Sequence, residues 1–164
     1  MAVEYYLKLD DLKGESKGDK HKDEIDILSF SWGASQPGLG HLGGGTGAGK
    51  VDIHDLQLTH CVDKASPMLF QGCCKGTPFT KATLTCRKAG HNALDYLTIT
   101  METVLIGSVQ SGGHGSAAGS TDHPQESFSL HFQKFKVVYK EQDEKGAVKS
   151  SPEFSWDIVA NAAV

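Results

Sequence analysis

An apolar–polar alternation with a period of two, broken every few residues by turn chemistry, restricts this chain more than any other feature. Val3, Tyr5, Leu7 and Leu9 alternate with Glu4, Tyr6, Lys8 and Asp10, which is the signature of a half-buried strand. After a charged loop at 11–23 the pattern resumes with Ile25 and Ile27. It then shifts phase to Leu28, Phe30 and Trp32, leaving Ser29, Ser31 and Gly33 on the other side. A shift of this kind predicts a bulge or a strand that changes its buried face. Val51–Thr59, Lys81–Lys88, Leu94–Gly107, Ser127–Tyr139 and Phe154–Val159 read as further strands, with a turn at Ala89–Asn92 and a loop at 111–124. One helix is predicted at about 66–75, with Ser66 as N-cap, Pro67 in the first turn and Gly76 as the left-handed C-terminal residue. Many short strands and a single helix predict a mainly β chain, an antiparallel sandwich or barrel, and argue against repeating βαβ units.

The 164 residues are enough for one core, and with no internal repeat and no dividing linker the expectation is a single domain over 1–164. Charged residues make up 22% and the net charge is −4 with the basic residues scattered. That distribution lacks the concentrated positive patch that phosphate neutralisation needs, so nucleic acid is not an expected partner. No stretch approaches the roughly 18–20 apolar residues of a membrane-spanning helix. The beginning, MAVEYYLKLDD, has no basic segment followed by an apolar one, so a mature protein starting at or near Met1 is expected. Cys61, Cys73, Cys74 and Cys86 are read as reduced, because the chain is long enough to hold together without staples.

Glycine is the one residue in excess, with 19 copies, and from Gln36 to Lys50 it dominates a segment that reads as a long exposed loop. Within it, Gly44-Gly45-Thr46-Gly47-Ala48-Gly49-Lys50 fits the first seven places of a phosphate-binding loop. Such a loop needs a strand before it and a helix after it to aim backbone N–H groups at phosphate. Here glycine precedes it and a strand follows, with Val51 in the place of the Mg²⁺-binding hydroxyl residue. Nucleotide binding is therefore a remote reading. His60-Cys61 ahead of Cys73-Cys74 is the densest grouping of metal-ligand types, but its spacing is not that of a zinc site and no metal is expected. Glu15, His21 and Glu24 lie in or beside a run of mixed charge that reads as solvated. No serine has a nucleophile-elbow setting and Cys86 lies mid-strand, so no catalytic residue, cofactor or enzyme activity is expected.

Seven segments in order, KGESKGDKH at 13–21, EIDILSFSWG at 24–33, GGGTGAGKV at 43–51, DKASPMLFQG at 63–72, ATLTCRKAG at 82–90, YLTITMETVLIGSV at 96–109 and SWDIVANAAV at 155–164, resemble the Hcp family. These are the haemolysin-coregulated proteins that form the inner tube of type VI secretion systems. Cys86, and His91 where a second glycine is commoner, are the departures. The resemblance implies a small antiparallel β-barrel with one flanking helix, six copies closing head-to-tail into a ring, and rings stacking into a tube. It implies a contractile sheath, a spike protein and a baseplate as partners. It also implies synthesis in the cytoplasm and export without a signal peptide from a Gram-negative cell, with small effector proteins carried in the lumen. It gives the glycine loop a ring-stacking role, with Gly38, Leu39, His41, Leu42, Gly43, Gly44, Gly45, Thr46 and Lys50 as candidate residues. Ser29 and Ser31, opposite the apolar side of their strand, become candidate lumen-facing residues. The competing readings are a monomeric ligand-binding barrel and, remotely, a nucleotide-binding enzyme using 44–50.

Overall fold

Most of the expected strands form in a computed structural model that describes residues 2–38, 49–90, 92–115 and 123–164. However, Val51–Thr59 is broken at 54–55, Trp32 lies past the end of its strand, and the strand expected at Phe154–Val159 stops at Asp157 and turns. The strands are β1 (Val3–Leu9), β2 (Ile25–Ile27), β3 (Ser29–Ser31), β4 (Ala34–Ser35), β5 (Asp52–Ile53) and β6 (Leu56–Cys61). The helix α1 (Ser66–Lys75) follows, then β7 (Phe79–Lys88), β8 (Leu94–Gly112), β9 (Gln125–Tyr139), β10 (Glu141–Gln142), β11 (Val148–Ser150), β12 (Glu153–Asp157) and β13 (Ala162–Ala163). Every ladder is antiparallel, and the main sheet runs β13-β12-β9-β8-β7-β1-β2. The N-terminal half of β9 pairs with β6 along the same edge that carries β12 further on, and β6 in turn pairs with β3.

The mainly β antiparallel class is as expected, but the ladder does not close into a barrel: the ends of the curled sheet are joined through the covalent chain. β2 pairs with β1 and β3 with β6, so the two ends of the curled sheet meet at Leu28, one residue of bend between them. The Leu28 N–H donates to the Thr59 carbonyl at 2.7 Å and holds the corner. This is the phase shift seen in the sequence, with one correction. Leu28 does not share the side of Phe30 and Trp32; it is half exposed at the bend, while they pack on the core. Leu7, Leu9, Ile25, Leu56, Leu58, Leu84, Met101, Phe128 and Leu130 fill the centre with essentially no solvent exposure. At about 25 cal/mol per Å² of apolar surface, such burial is the main source of stability.

A second change of phase crosses three strands at one level. Buried or core-packed residues are three apart instead of two at Phe79/Ala82 in β7, Met101/Val104 in β8 and Phe132/Phe135 in β9. The register places these pairs side by side. Thr103 in β8 has φ +55° there, which lets the strand slip its pleat and keep the core side inward. Asp10, also left-handed at φ +42°, accepts the Thr80 and Lys81 N–H groups at 2.7 and 2.8 Å on the β7 side of this seam.

The helix ends where expected, at left-handed Gly76, but its N-cap is Ala65, with no side-chain capping bond. Ser66 lies inside the first turn, and its Oγ accepts the Asp63 N–H while Asp63 Oδ1 accepts the Ala65 N–H. The Asp63 carboxylate thus does the work assigned to serine. Leu69 and Gly72 face β8, where Gly72 lies so near Ile106 and Phe79 that an added Cβ would sit 3.0 Å from the Ile106 side chain.

Candidate assembly surfaces

Antiparallel register sends directly opposed residues to the same face. On the outward side of β3, β6, β9 and β8 this produces two rows. Ser29 is opposite Thr59, Thr59 opposite Ser127, and Ser127 opposite Gln110; in the next row Ser31, Gln57, Ser129 and Ser108 follow in the same order. All eight are uncharged hydroxyl or amide residues. Ser29, Ser31, Gln57, Ser127 and Gln110 are exposed, and the Ser108 and Ser129 hydroxyls bond to each other at 2.8 Å. The opposite side of the same strands carries Phe30, Leu58, Phe128 and Val109 into the core. Ser29 and Ser31 therefore belong to a four-strand polar wall. Gln57 and Thr59 alternate with Leu56 and Leu58, and Ser127 and Ser129 flank Phe128, but only the register joins them to Ser29 and Ser31.

The glycine segment leaves the curled sheet next to β3 of this wall on a two-stranded stem. Ala34 pairs with Ile53 and Ser35 with Asp52, Trp32 Nε1 donates to the His54 carbonyl at 2.9 Å, and the Gln36 side-chain amide donates to the Gly49 carbonyl. Gly38 has open space around it and Lys50 is exposed. Leu39, His41, Leu42, Gly43, Gly44, Gly45 and Thr46 lie outside the described residues. After Lys50 the chain enters β5, a strand, so the helix N-terminus a phosphate loop requires does not follow.

At the foot of the stem is an apolar cleft of ≈ 670 Å³, lined among others by Trp32, Val51, Ile53, Phe135, Phe154 and Trp156. Trp32 meets Phe135 edge-on at 5.0 Å, and Phe154 stacks on Trp156 at 6.0 Å. Phe154 is 52% exposed, and Trp156 Nε1 is out of contact with solvent and without a hydrogen-bond partner. This site was not anticipated, because its residues come from the ends of the β4–β5 stem, one sheet, and from β9 and β12 of another, and meet only in the folded chain.

The charged loop corrects the reading of a solvated run. His21 is 8% exposed, stacked on Tyr6 at 4.5 Å, with Nδ1 3.0 Å from Glu24 and Nε2 3.2 Å from Asp95. Arg87 donates to the same Asp95 oxygen at 2.8 Å. Burial works against the Asp95 charge, yet the Arg87 and His21 bonds hold its carboxyl below the ordinary range. Tyr6, desolvated and bonded to Glu4, is pushed up to about 12. Glu15 makes no part of the His21 contacts, and the arrangement pins the loop to β8. The His60-Cys61 pair does not converge either, since β6 sends His60 inward and Cys61 outward.

A family described as "Type VI secretion system effector, Hcp" matches residues 6–139. The chain is 44% identical to Protein hcp1 of Pseudomonas aeruginosa over 163 residues, covering 98% of both. The chain belongs to the Hcp family. Among solved structures, this Hcp chain is similar to a type six secretion system protein with a TM-score of 0.90 and 28% identity over 99% of this chain and 100% of that one. Hcp1 from Salmonella typhimurium has a TM-score of 0.79 and 30% identity, with coverage of 99% and 100%. The Hcp assignment accounts for the mainly β fold and makes the chain a type VI secretion protein. Among the described residues no helix is long and apolar enough to cross a membrane.

Proposed function

We propose that this chain is the tube subunit of a type VI secretion system: six copies close head-to-tail into a ring, rings stack, and the polar wall around Ser29 and Ser31 lines the lumen. The observation that carries this reading is the wall itself, given membership of the Hcp family. An eight-residue uncharged face on four adjoining strands is a poor docking surface, lacking the aromatic and arginine anchors of tight interfaces. It suits a water-filled channel that cargo enters and leaves. The stem of the glycine segment adjoins β3 of this wall, which supports a reading in which one part of the protomer faces the channel and the segment carried by the stem makes contact along the tube. Glycine permits the close backbone approach that ring-to-ring packing requires. Small effector proteins are the proposed cargo; the sheath, spike and baseplate are the proposed partners. Export is proposed to proceed without a signal peptide.

The apolar cleft gives the competing reading, a monomeric ligand-binding barrel, its one concrete support. Ser31→Gln separates the two. It adds bulk to the wall and leaves the core untouched, so ring formation and melting temperature should survive while co-purification or stabilisation of a small effector falls. Unchanged effector handling, with Ser31→Cys labelling as readily as an outer-surface cysteine, refutes the lumen assignment. Replacing Gly43, Gly44 and Gly45 with bulkier residues should impair stacking and leave the single ring intact.

A further inference from the structure

His60 occupies a dry position that the tube function does not explain. Its imidazole is fully buried on the inward side of β6, edge-on to the Phe128 ring at 5.2 Å. Nε2 lies 3.1 Å from Glu126 Oε1, and the other oxygen of this buried carboxylate accepts the Ser111 hydroxyl at 2.7 Å. In the neutral ring with its one proton on Nε2, toward the nearer carboxylate, Nδ1 is an acceptor. Nδ1 is out of contact with solvent and has no hydrogen-bond partner. It faces Asp63 Oδ1 at 3.9 Å, and that oxygen is anchored to the first turn of α1 through the Ala65 N–H. Two acceptors therefore look at each other across a buried gap, an arrangement that is costly as it stands.

We propose that this gap is a proton-operated latch. One proton taken up between Nδ1 and Oδ1 turns the opposed acceptors into donor and acceptor, satisfies the buried nitrogen and draws the two groups into a hydrogen bond. Closed, the latch ties the end of β6 to the start of α1 and, through Glu126 and Ser111, to the root of the β8–β9 hairpin. Open, it leaves a lone pair against a carboxylate. Among the described residues, the charged groups that act on it are Glu126 from β9, Asp63 ahead of α1, and Glu15 from the N-terminal loop; β8 contributes the Ser111 hydroxyl. Burial raises the Asp63 carboxyl above its ordinary 3.8, with the Ala65 amide and His60 opposing and Glu15 and Glu126 reinforcing it. The folded chain thus holds a proton that the unfolded chain releases above about pH 3.8. The stability it supplies is present at low pH and is lost as pH rises through the folded titration.

A double-mutant cycle of His60→Gln and Asp63→Ala, read by denaturant unfolding at fixed protomer concentration at pH 4 and pH 9, tests this. The expected result is a favourable coupling at pH 4, on the order of tenfold in the folding equilibrium constant, that disappears at pH 9. No coupling at pH 4, or the same coupling at both values, overturns the latch. If His60→Gln does not fold, Asp63→Ala is compared with the wild type alone. A loss of stability that shrinks from pH 4 to pH 9 supports the latch, and one independent of pH refutes it.

Discussion

Asp95 gathers two donors on one oxygen, Arg87 at 2.8 Å and His21 at 3.2 Å, and that convergence makes its charge part of the fold. A carboxyl held below its ordinary 3.8 contributes stability that is present above that value and lost as pH falls through the lower folded one. Asp95→Asn should therefore lower the denaturant midpoint at pH 7, with an effect that shrinks as pH falls below 3.8 through the lower folded value. An effect independent of pH would show that the charge is not what matters. Cys86 is the converse case, a thiol 1% exposed and pushed by burial up to about 11. It should be the last of the four cysteines to react with a thiol reagent in the native protein, after exposed Cys61 and Cys74, and all four should titrate once the chain is denatured. Fewer than four would reveal a disulfide. His21 illustrates what a sequence hides at this scale. A histidine in a run of lysines and aspartates has no periodicity to mark it as buried, and its partner Asp95 is 74 residues away.

At the scale of elements, alternation located the strands because one face of each meets the core, and it failed where that face changes. The jump at Leu28 was visible as a phase shift inside one short segment, whereas the seam across β7, β8 and β9 was not. Each strand there shows only a three-residue gap between apolar positions, which by itself looks like noise. Only the register aligns the three gaps. Thr103 bears the local strain, a β-branched side chain at φ +55° on an exposed position. Relief of a left-handed conformation is worth about 1–2 kcal/mol, offset by glycine's greater entropy loss of about 0.5–1 kcal/mol. Thr103→Gly should accordingly raise stability by about 0.5–1 kcal/mol in denaturant unfolding. Thr103→Val should not raise it, and a loss on Thr103→Gly would mean that the threonine side chain holds the seam. The helix teaches a similar lesson. Ser66, Pro67 and Gly76 placed its ends correctly, but the serine was one position too far in and the aspartate two residues before the cap made the bond.

For the whole molecule, the resemblance carried by seven short segments anticipated the family and the mainly β fold, while the surfaces that assembly would use were only partly legible. Ser29 and Ser31 were readable because their strand alternates strongly; the rest of the polar wall needed the sheet order β3-β6-β9-β8 to bring its rows together. The apolar cleft was illegible because it joins distant segments of two separate sheets. Both surfaces are what a repeated subunit can use, since a head-to-tail contact presents different faces of one chain and closes when the rotation between copies divides the circle. Under the proposed tube reading, the uncharged wall would face water and cargo, and the cleft with its exposed aromatics would be available to protein. All of this depends on the chain forming a ring. Native mass spectrometry at micromolar protomer concentration in moderate salt should find a species six times the 17.6 kDa protomer as the main component. A spectrum holding only the 17.6 kDa monomer would contradict the account.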